Sequence, residues 1–256
     1  MRRERVLITG CSSGIGKATA ELLIAAGHEV VVTAPTEALL ADCPSAALAL
    51  VLDVISEASV REAVDRTERD LGPVSVLINN AGICQAGPVE QLSDVQVQRQ
   101  FEVNVFGPMR LVRAVLPGMR RAGRGRIINL SSLVGVVPFP FLGAYSASKH
   151  AVEAFSDALR LEAADAGIEV VVVEPGWIKS NLASTAHQLA DERWTDPGQP
   201  YANALRSLEA KQSQMERIEG VPADVARVIC EAVAARRPRT RYRVTAFGKV
   251  FPLIHA

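Results

Sequence analysis

Short runs of β-branched and apolar residues alternate along this chain with longer stretches of helical spacing, and that alternation limits the folds open to it. The strand-like runs are Arg5 to Thr9, Glu29 to Ala34, Ala49 to Val54, Val74 to Asn79, Arg126 to Leu130, Ile168 to Glu174 and, more weakly, Arg241 to Ala246. Most lack in/out alternation, which suits strands buried on both faces of a parallel sheet. Helical periodicity occupies Gly14 to Ala26, Ser56 to Leu71, Asp94 to Arg121, Tyr145 to Ala166 and Pro222 to Arg236. The expectation is an α/β fold: a single doubly wound parallel sheet of about seven strands with helices on both faces. Ser56 reads as an N-cap, and Gly27, Gly72, Gly123 and Gly167 stand where helices end. Pro108 and Pro117 predict a bend or break in the third helical stretch.

The 256 residues contain no linker-like segment, so a single domain over 1–256 is expected. Asn181 to Gly220 fits neither period and is expected to form a substrate lid. Lysine plus arginine and aspartate plus glutamate number 28 each, which gives no electrostatic reason to expect nucleic acid or an anionic membrane as partner. The apolar run at the N-terminus is too short for a signal-peptide core, and no run approaches the ~18 residues of a membrane span. Cys11, Cys43, Cys84 and Cys230 are far apart without metal-ligand spacing. They read as reduced thiols in the cytoplasm, with no metal site.

The first strand runs into Thr9-Gly10-Cys11-Ser12-Ser13-Gly14-Ile15-Gly16 and then a helix. Glycines there let the backbone turn tightly and approach a pyrophosphate, whose charge the helix N-terminus favours. Alone, the motif is weak evidence, because a plain tight turn also explains it. Placed after the first strand, it points to dinucleotide binding and a Rossmann-type sheet.

Gly143-Ala144-Tyr145-Ser146-Ala147-Ser148-Lys149 carries the strongest signal. Tyrosine and lysine four apart share a helix face. In isolation such a pair is more often a packed ring beside a solvated amine. As chemistry, an adjacent ammonium and a positive nicotinamide ring both favour phenolate: an ordinary phenol, with a pKa of ~10, would need to fall by roughly 2 to 3 units, or about 3 to 4 kcal/mol, to act as a base at neutral pH. Ser132 follows the strand Arg126 to Leu130, thirteen residues upstream of Tyr145. Adjacent Ser131 should point to the opposite face.

These motifs, in this order, resemble the short-chain dehydrogenase/reductase family from Val6 to about Val244. The resemblance implies catalytic roles for Asn104, Ser132, Tyr145 and Lys149, with Asn104 positioning Lys149 through a water. Bonding the backbone at a bend is the equally open alternative for Asn104. It further implies cofactor contacts from Gly10, Ser12, Ser13, Gly14, Ile15 and Gly16 in the turn, from Asp53 and Val54 at the adenine, and from Asn80, Ala81 and Gly82 in Asn-Asn-Ala-Gly. Tyr145, Lys149, Pro175, Gly176, Ile178 and Ser180 complete the set, with Ser180 replacing the usual threonine. Relatives pair the third and fourth long helices across a two-fold axis, so a homodimer or homotetramer is expected, in keeping with apolar Val105, Leu111, Val112, Val115, Ala154, Phe155 and Leu159 on more than one helix face.

An acid about twenty residues past the turn binds the ribose of NAD, and an arginine accepts the phosphate of NADP. This chain has Thr33-Ala34-Pro35-Thr36 there, with neither. The stretch resembles a family ending with arginine replaced by Pro35, so NADP is the expected cofactor and NAD the alternative, with Lys17 and Thr36 as candidate helpers. The surroundings of Tyr145 resemble hydroxysteroid- and retinol-dehydrogenase-like members. That implies interconversion of an alcohol and its ketone or aldehyde on a lipophilic substrate, in an apolar pocket drawn from Gln85, Phe139, Phe141, Leu142, Trp177, Leu182, Trp194, Tyr201 and Met215. The alternative is a nucleotide-sensing binding protein with weak turnover. The basic stretch Arg236 to Arg243 and apolar Phe247 to Ile254 could touch a membrane, though a solvated turn and subunit packing explain them as well.

Overall fold

The computed structural model describes residues 2–179, 196, 198–207 and 220–245. Its centre is a parallel sheet of β1 (Arg5–Ile8), β2 (Glu29–Ala34), β3 (Leu48–Val51), β4 (Val76–Asn79), β5 (Gly125–Leu130), β6 (Ile168–Pro175) and β7 (Arg241–Val244). The strand order is β3-β2-β1-β4-β5-β6-β7. All six pairings are parallel.

The helices are α1 (Gly14–Ala25), α2 (Glu37–Leu40), α3 (Glu57–Leu71), α4 (Asp94–Phe101), α5 (Gly107–Ala122), α6 (Gly143–Ala163) and α7 (Pro222–Ala234). Successive strand residues face opposite ways, and the two resulting cores show it. Ile8, Val32, Ile78, Ile128 and Val171 pack with Leu23 of α1 and Ile229 of α7. Leu7, Val31, Leu77, Ile127 and Val170 pack with Val64 of α3, Val115 of α5 and Leu159 of α6. Both faces are therefore dry, the condition that the uninterrupted apolar runs implied.

Strand order reverses beside β1, between β1 and β4, so a crevice opens beyond their carboxyl ends. Gly10 and Asn80 follow those two strands and lie at this switch point.

Several expectations are corrected. The third strand ends at Val51 rather than Val54, because Leu52 makes the last backbone bond to Ala34 and the Asp53 carboxylate turns back to accept from the Ile55 N–H at 3.1 Å. The long helix around Pro108 changes winding over Glu102–Phe106, a π-helical turn, and Pro108 stands in the first turn of α5, where a missing N–H costs little. Pro117 lies inside α5 without ending it. Of the residues taken to suggest an oligomer, Val105, Leu111, Val112, Val115 and Leu159 are buried within the subunit. Ala154 of that set is exposed on the outward surface of α6, which also carries Ala158 and Leu161, the last 82% exposed. Ser56 caps α3 as expected, its hydroxyl accepting from the Ser59 N–H at 3.2 Å.

Candidate active site

The end of β5 and the start of α6 build the site together. Extended backbone turns Ser131 and Ser132 to opposite sides. Ser132 hydrogen-bonds Tyr145, and its Oγ also accepts from the Val134 N–H at 3.3 Å. Ser131 faces Glu153. One turn along α6, Lys149 donates from Nζ to the Leu130 carbonyl oxygen at 2.7 Å and stands 5.8 Å from the Tyr145 ring centroid. Ser132, Tyr145 and Lys149 are all buried.

Burial sets the proton balance here. It pushes the Tyr145 phenol above its ordinary value, nearby Cys84 adds to the rise, and the Ser132 hydrogen bond lowers it only in part. From the protein alone, desolvation is the largest influence on this phenol. Burial brings Lys149 down to about 8, against smaller support for its ammonium from Cys84 and Glu153. The Cys84 thiol is itself pushed up to about 12 by burial.

Asn104 lies in the π-helical turn and is 1% exposed. Its Oδ1 accepts from the Ile83 N–H at 2.9 Å; its Nδ2 donates to the Ile83 carbonyl at 2.9 Å and to Ser148 Oγ at 3.3 Å. These partners belong to the segment after β4 and to α6, not to the bend of its own helix. One turn earlier, fully buried Gln100 accepts from the Gln85 N–H at 2.7 Å and donates to the Ile83 carbonyl at 2.9 Å. Two stacked amides therefore fix the segment 83–85 beside Tyr145. Gln100 was missed by sequence reasoning, although its spacing of four from Asn104 places the two on one helix face.

The segment they hold supplies Cys84, which with Val134 and Tyr145 forms an apolar cluster packed by Phe139, Leu142 and Trp177. Phe139 and Trp177 meet at 5.2 Å between ring centroids, and Phe141 meets Tyr201 edge-on at 6.0 Å. Phe141 adopts φ 62°, a left-handed conformation rare for a bulky residue, and its carbonyl accepts from the Gly87 N–H at 2.8 Å. Gln85 is buried beside this wall. Leu182, Trp194 and Met215, along with Ser180, most of the expected lid and the tail from Ala246 onward, lie outside the described residues.

The glycine turn fits a dinucleotide. A Cβ on Gly16 would lie 2.0 Å from the Gly10 carbonyl oxygen and 2.5 Å from Asn80 Nδ2, so only glycine permits this close winding. Asn80 Nδ2 donates to the carbonyls of Thr9 and Gly10 at 2.8 and 2.9 Å, while Thr9 Oγ1 accepts from the N–H groups of Asn80 and Ala81 at 3.0 Å each. The turn is thereby tied to the end of β4. Ser13 is the N-cap residue of α1 but makes no capping bond with its side chain. Val54 packs against Gly107, and Asp53 bonds its own turn. Pro175 and Gly176 continue from β6, and Ile178 forms a parallel bridge to Gly220. Thr36 caps α2 by accepting from the Leu39 N–H at 3.3 Å, which commits it locally. Pro35 is exposed, whereas Ala34 is fully buried.

The family model for short chain dehydrogenase matches residues 4–190. This chain belongs to that family. As a short-chain dehydrogenase it is an NAD(P)-dependent oxidoreductase. It is 40% identical over 247 residues to a 3-ketodihydrosphingosine reductase of Bacteroides thetaiotaomicron, covering 95% of this chain and 88% of that protein. It is 36% identical over 250 residues to an NADPH-dependent 3-dehydrocapnine reductase of Ornithobacterium rhinotracheale, covering 93% and 87%. Among solved structures, a short chain dehydrogenase/reductase of Burkholderia phymatum in complex with NAD superposes with a TM-score of 0.83 at 27% identity, covering 99% of this chain and 92% of that one.

Proposed function

We propose that this short-chain dehydrogenase reduces a keto group on a lipophilic substrate, with NADPH preferred over NADH. The carrying observation is the buried Tyr145 phenol, hydrogen-bonded to Ser132 and walled by Cys84, Val134, Phe139, Leu142 and Trp177. The relatives named for a 3-keto and a 3-dehydro compound support the ketone as the reacting group.

A bound nicotinamide supplies the hydride that reduces the carbonyl carbon. Tyr145 gives its hydroxyl proton to the carbonyl oxygen, and Ser132 hydrogen-bonds the same oxygen as charge develops on it. A phenol held protonated by burial suits this donor role. Lys149 places its ammonium beside the ring, where it steadies the phenolate left behind. Asn104 and Gln100 keep the wall at 83–85 in place.

The diphosphate falls to Gly10, Ser12, Ser13, Gly14, Ile15 and Gly16, the adenine to Asp53 and Val54, and the ribose next to it to Asn80, Ala81 and Gly82. Tyr145, Lys149, Pro175, Gly176, Ile178 and Ser180 hold the nicotinamide half. The NADPH preference rests on the absence of any carboxylate in Thr33-Ala34-Pro35-Thr36. One domain over 1–256 with a lid around 181–220, a cytoplasmic location and a homodimer or homotetramer complete the reading. Strands from Arg5 to Val244 sharing one sheet support the first, and exposed Leu161 and Phe106 support the assembly. Among the described residues no helix is long and apolar enough to cross a membrane, and no cluster of metal-binding side chains occurs.

The test is a panel of aliphatic ketones and their alcohols, followed by the absorbance of reduced nicotinamide with each cofactor. Reduction that strengthens with chain length and with NADPH supports the proposal; turnover confined to small polar ketones overturns the lipophilic assignment.

A further inference from the structure

An ionic cluster joins the catalytic helix to the far edge of the sheet. Glu153 lies one turn beyond Lys149 on α6 and is 9% exposed; Glu174, near the end of β6, is 2% exposed. Both meet Arg241 of β7, whose Nε is 3.0 Å from Glu153 and 3.4 Å from Glu174, while its Nη2 reaches Asp157 at 2.7 Å. Arg243 holds the other oxygen of Glu174 at 2.9 Å. A single edge strand thus clamps the helix of Tyr145 and Lys149 to the strand that leads into Pro175-Gly176. Buried carboxylates are costly, and removing one partner of such a pair is more costly still.

The cluster is continuous with the site. Glu153 faces Ser131, the neighbour of Ser132; burial pushes its carboxyl above the ordinary value, and Ser131 and Arg241 favour the charged form against that burial. Ser131 in turn lies against Lys149 across Gly135, where a Cβ would stand 2.5 Å from Ser131 Oγ and 3.1 Å from Lys149 Cβ. The groups around Glu153 are Ser131 after β5, Glu174 on β6, Arg241 on β7 and Lys149 on its own helix. Those around Lys149 are Tyr145, Cys84, Glu153 and the Leu130 carbonyl. Among them, Glu153 is the carboxylate one turn beyond Lys149 on the same helix; its direct ion pair is to Arg241, and its charge acts on Lys149 through space.

We propose that Glu153 is a positioning residue for the reaction: its carboxylate, fixed by Arg241, keeps Lys149 an ammonium at the pH where turnover runs. This rests on the role assigned to Lys149 above. Arg241 has no contact with the reacting groups and acts only by orienting Glu153.

The experiment is the pH profile of ketone reduction for the parent, Glu153→Gln and Glu153→Asp, with KM and the thermal midpoint measured alongside. Glutamine keeps the length and hydrogen bonding but removes the charge, so the ammonium is lost sooner as pH rises. The alkaline limb of kcat should move down by roughly one pH unit in Glu153→Gln, with KM at pH 6 unchanged, and stay near the parent in Glu153→Asp. A purely structural role would lower the thermal midpoint and leave the limb in place, and that result overturns the proposal. Should Glu153→Gln fail to fold, Arg241→Gln takes over: it releases the carboxylate that Arg241 orients and holds charged, so the limb should again move down, and an unmoved limb overturns the proposal equally. Tyr145→Phe, assayed in parallel, separates the two levels. Turnover surviving in that variant would refute the site reading itself, whereas a dead Tyr145→Phe with an unshifted Glu153→Gln refutes only the role of Glu153.

Discussion

Lys149 and Tyr145 share one face of α6, and the Lys149 ammonium stands 5.8 Å from the Tyr145 ring centroid while donating to the Leu130 carbonyl. That arrangement ties the charge beside the phenol to the last residue of β5, immediately before Ser131 and Ser132. A shift of the helix against the strand would therefore move the ammonium, the phenol and the Ser132 hydroxyl relative to one another.

A pH dependence follows. Burial lowers Lys149 to about 8, below its ordinary value, so the ammonium is present below that pH and is lost as pH rises through it. Ketone reduction at saturating substrate should hold level near neutrality and fall above about pH 8, and Lys149→Met should remove about 10²-fold or more from kcat throughout. A reductive rate still climbing at pH 10 would contradict the assignment.

Cofactor choice is testable at Pro35, which is exposed, rather than at Ala34, where an acid would enter the core unpaired. Pro35→Arg should tighten NADPH by roughly three- to tenfold, a modest gain because solvent reaches the site. Pro35→Asp should shift preference towards NADH by repelling the phosphate. Dissociation constants for both cofactors in each variant decide the matter, and an unchanged ratio in both would place selectivity elsewhere.

The glycine turn offers a third check. Gly16→Ala drives a methyl into the Gly10 carbonyl, a backbone atom that cannot swing aside, and against Asn80. Cofactor affinity should drop by about tenfold or more, with the thermal midpoint lowered as well. Normal affinity measured by titration would mean that the turn does not carry the diphosphate.

The sheet was legible because its strands are buried on both faces: β2 spans Glu29–Ala34 as read from the uninterrupted Val30-Val31-Val32. Boundaries moved where local side chains overrule periodicity, as Asp53 does after β3. At the site, motif spacing brought out Ser132, Tyr145 and Lys149, and the structure sets them side by side. Cys84, Gln100 and Glu153 were overlooked because their meaning comes from partners distant in the chain, such as Arg241, 88 residues beyond Glu153. The burial of the phenol was hidden for a related reason: a sequence displays the neighbouring lysine but not the apolar wall that desolvates the ring.

The most direct test of the mechanism is Tyr145→Phe, measured for ketone reduction and for NADPH binding together. Removing one hydroxyl deletes the proton donor while leaving the ring and its packing against Cys84 and Val134. Turnover should fall by about 10²- to 10⁴-fold, with the NADPH dissociation constant little changed. Near-parental turnover in Tyr145→Phe, on any ketone the parent accepts, would contradict the role given to Tyr145.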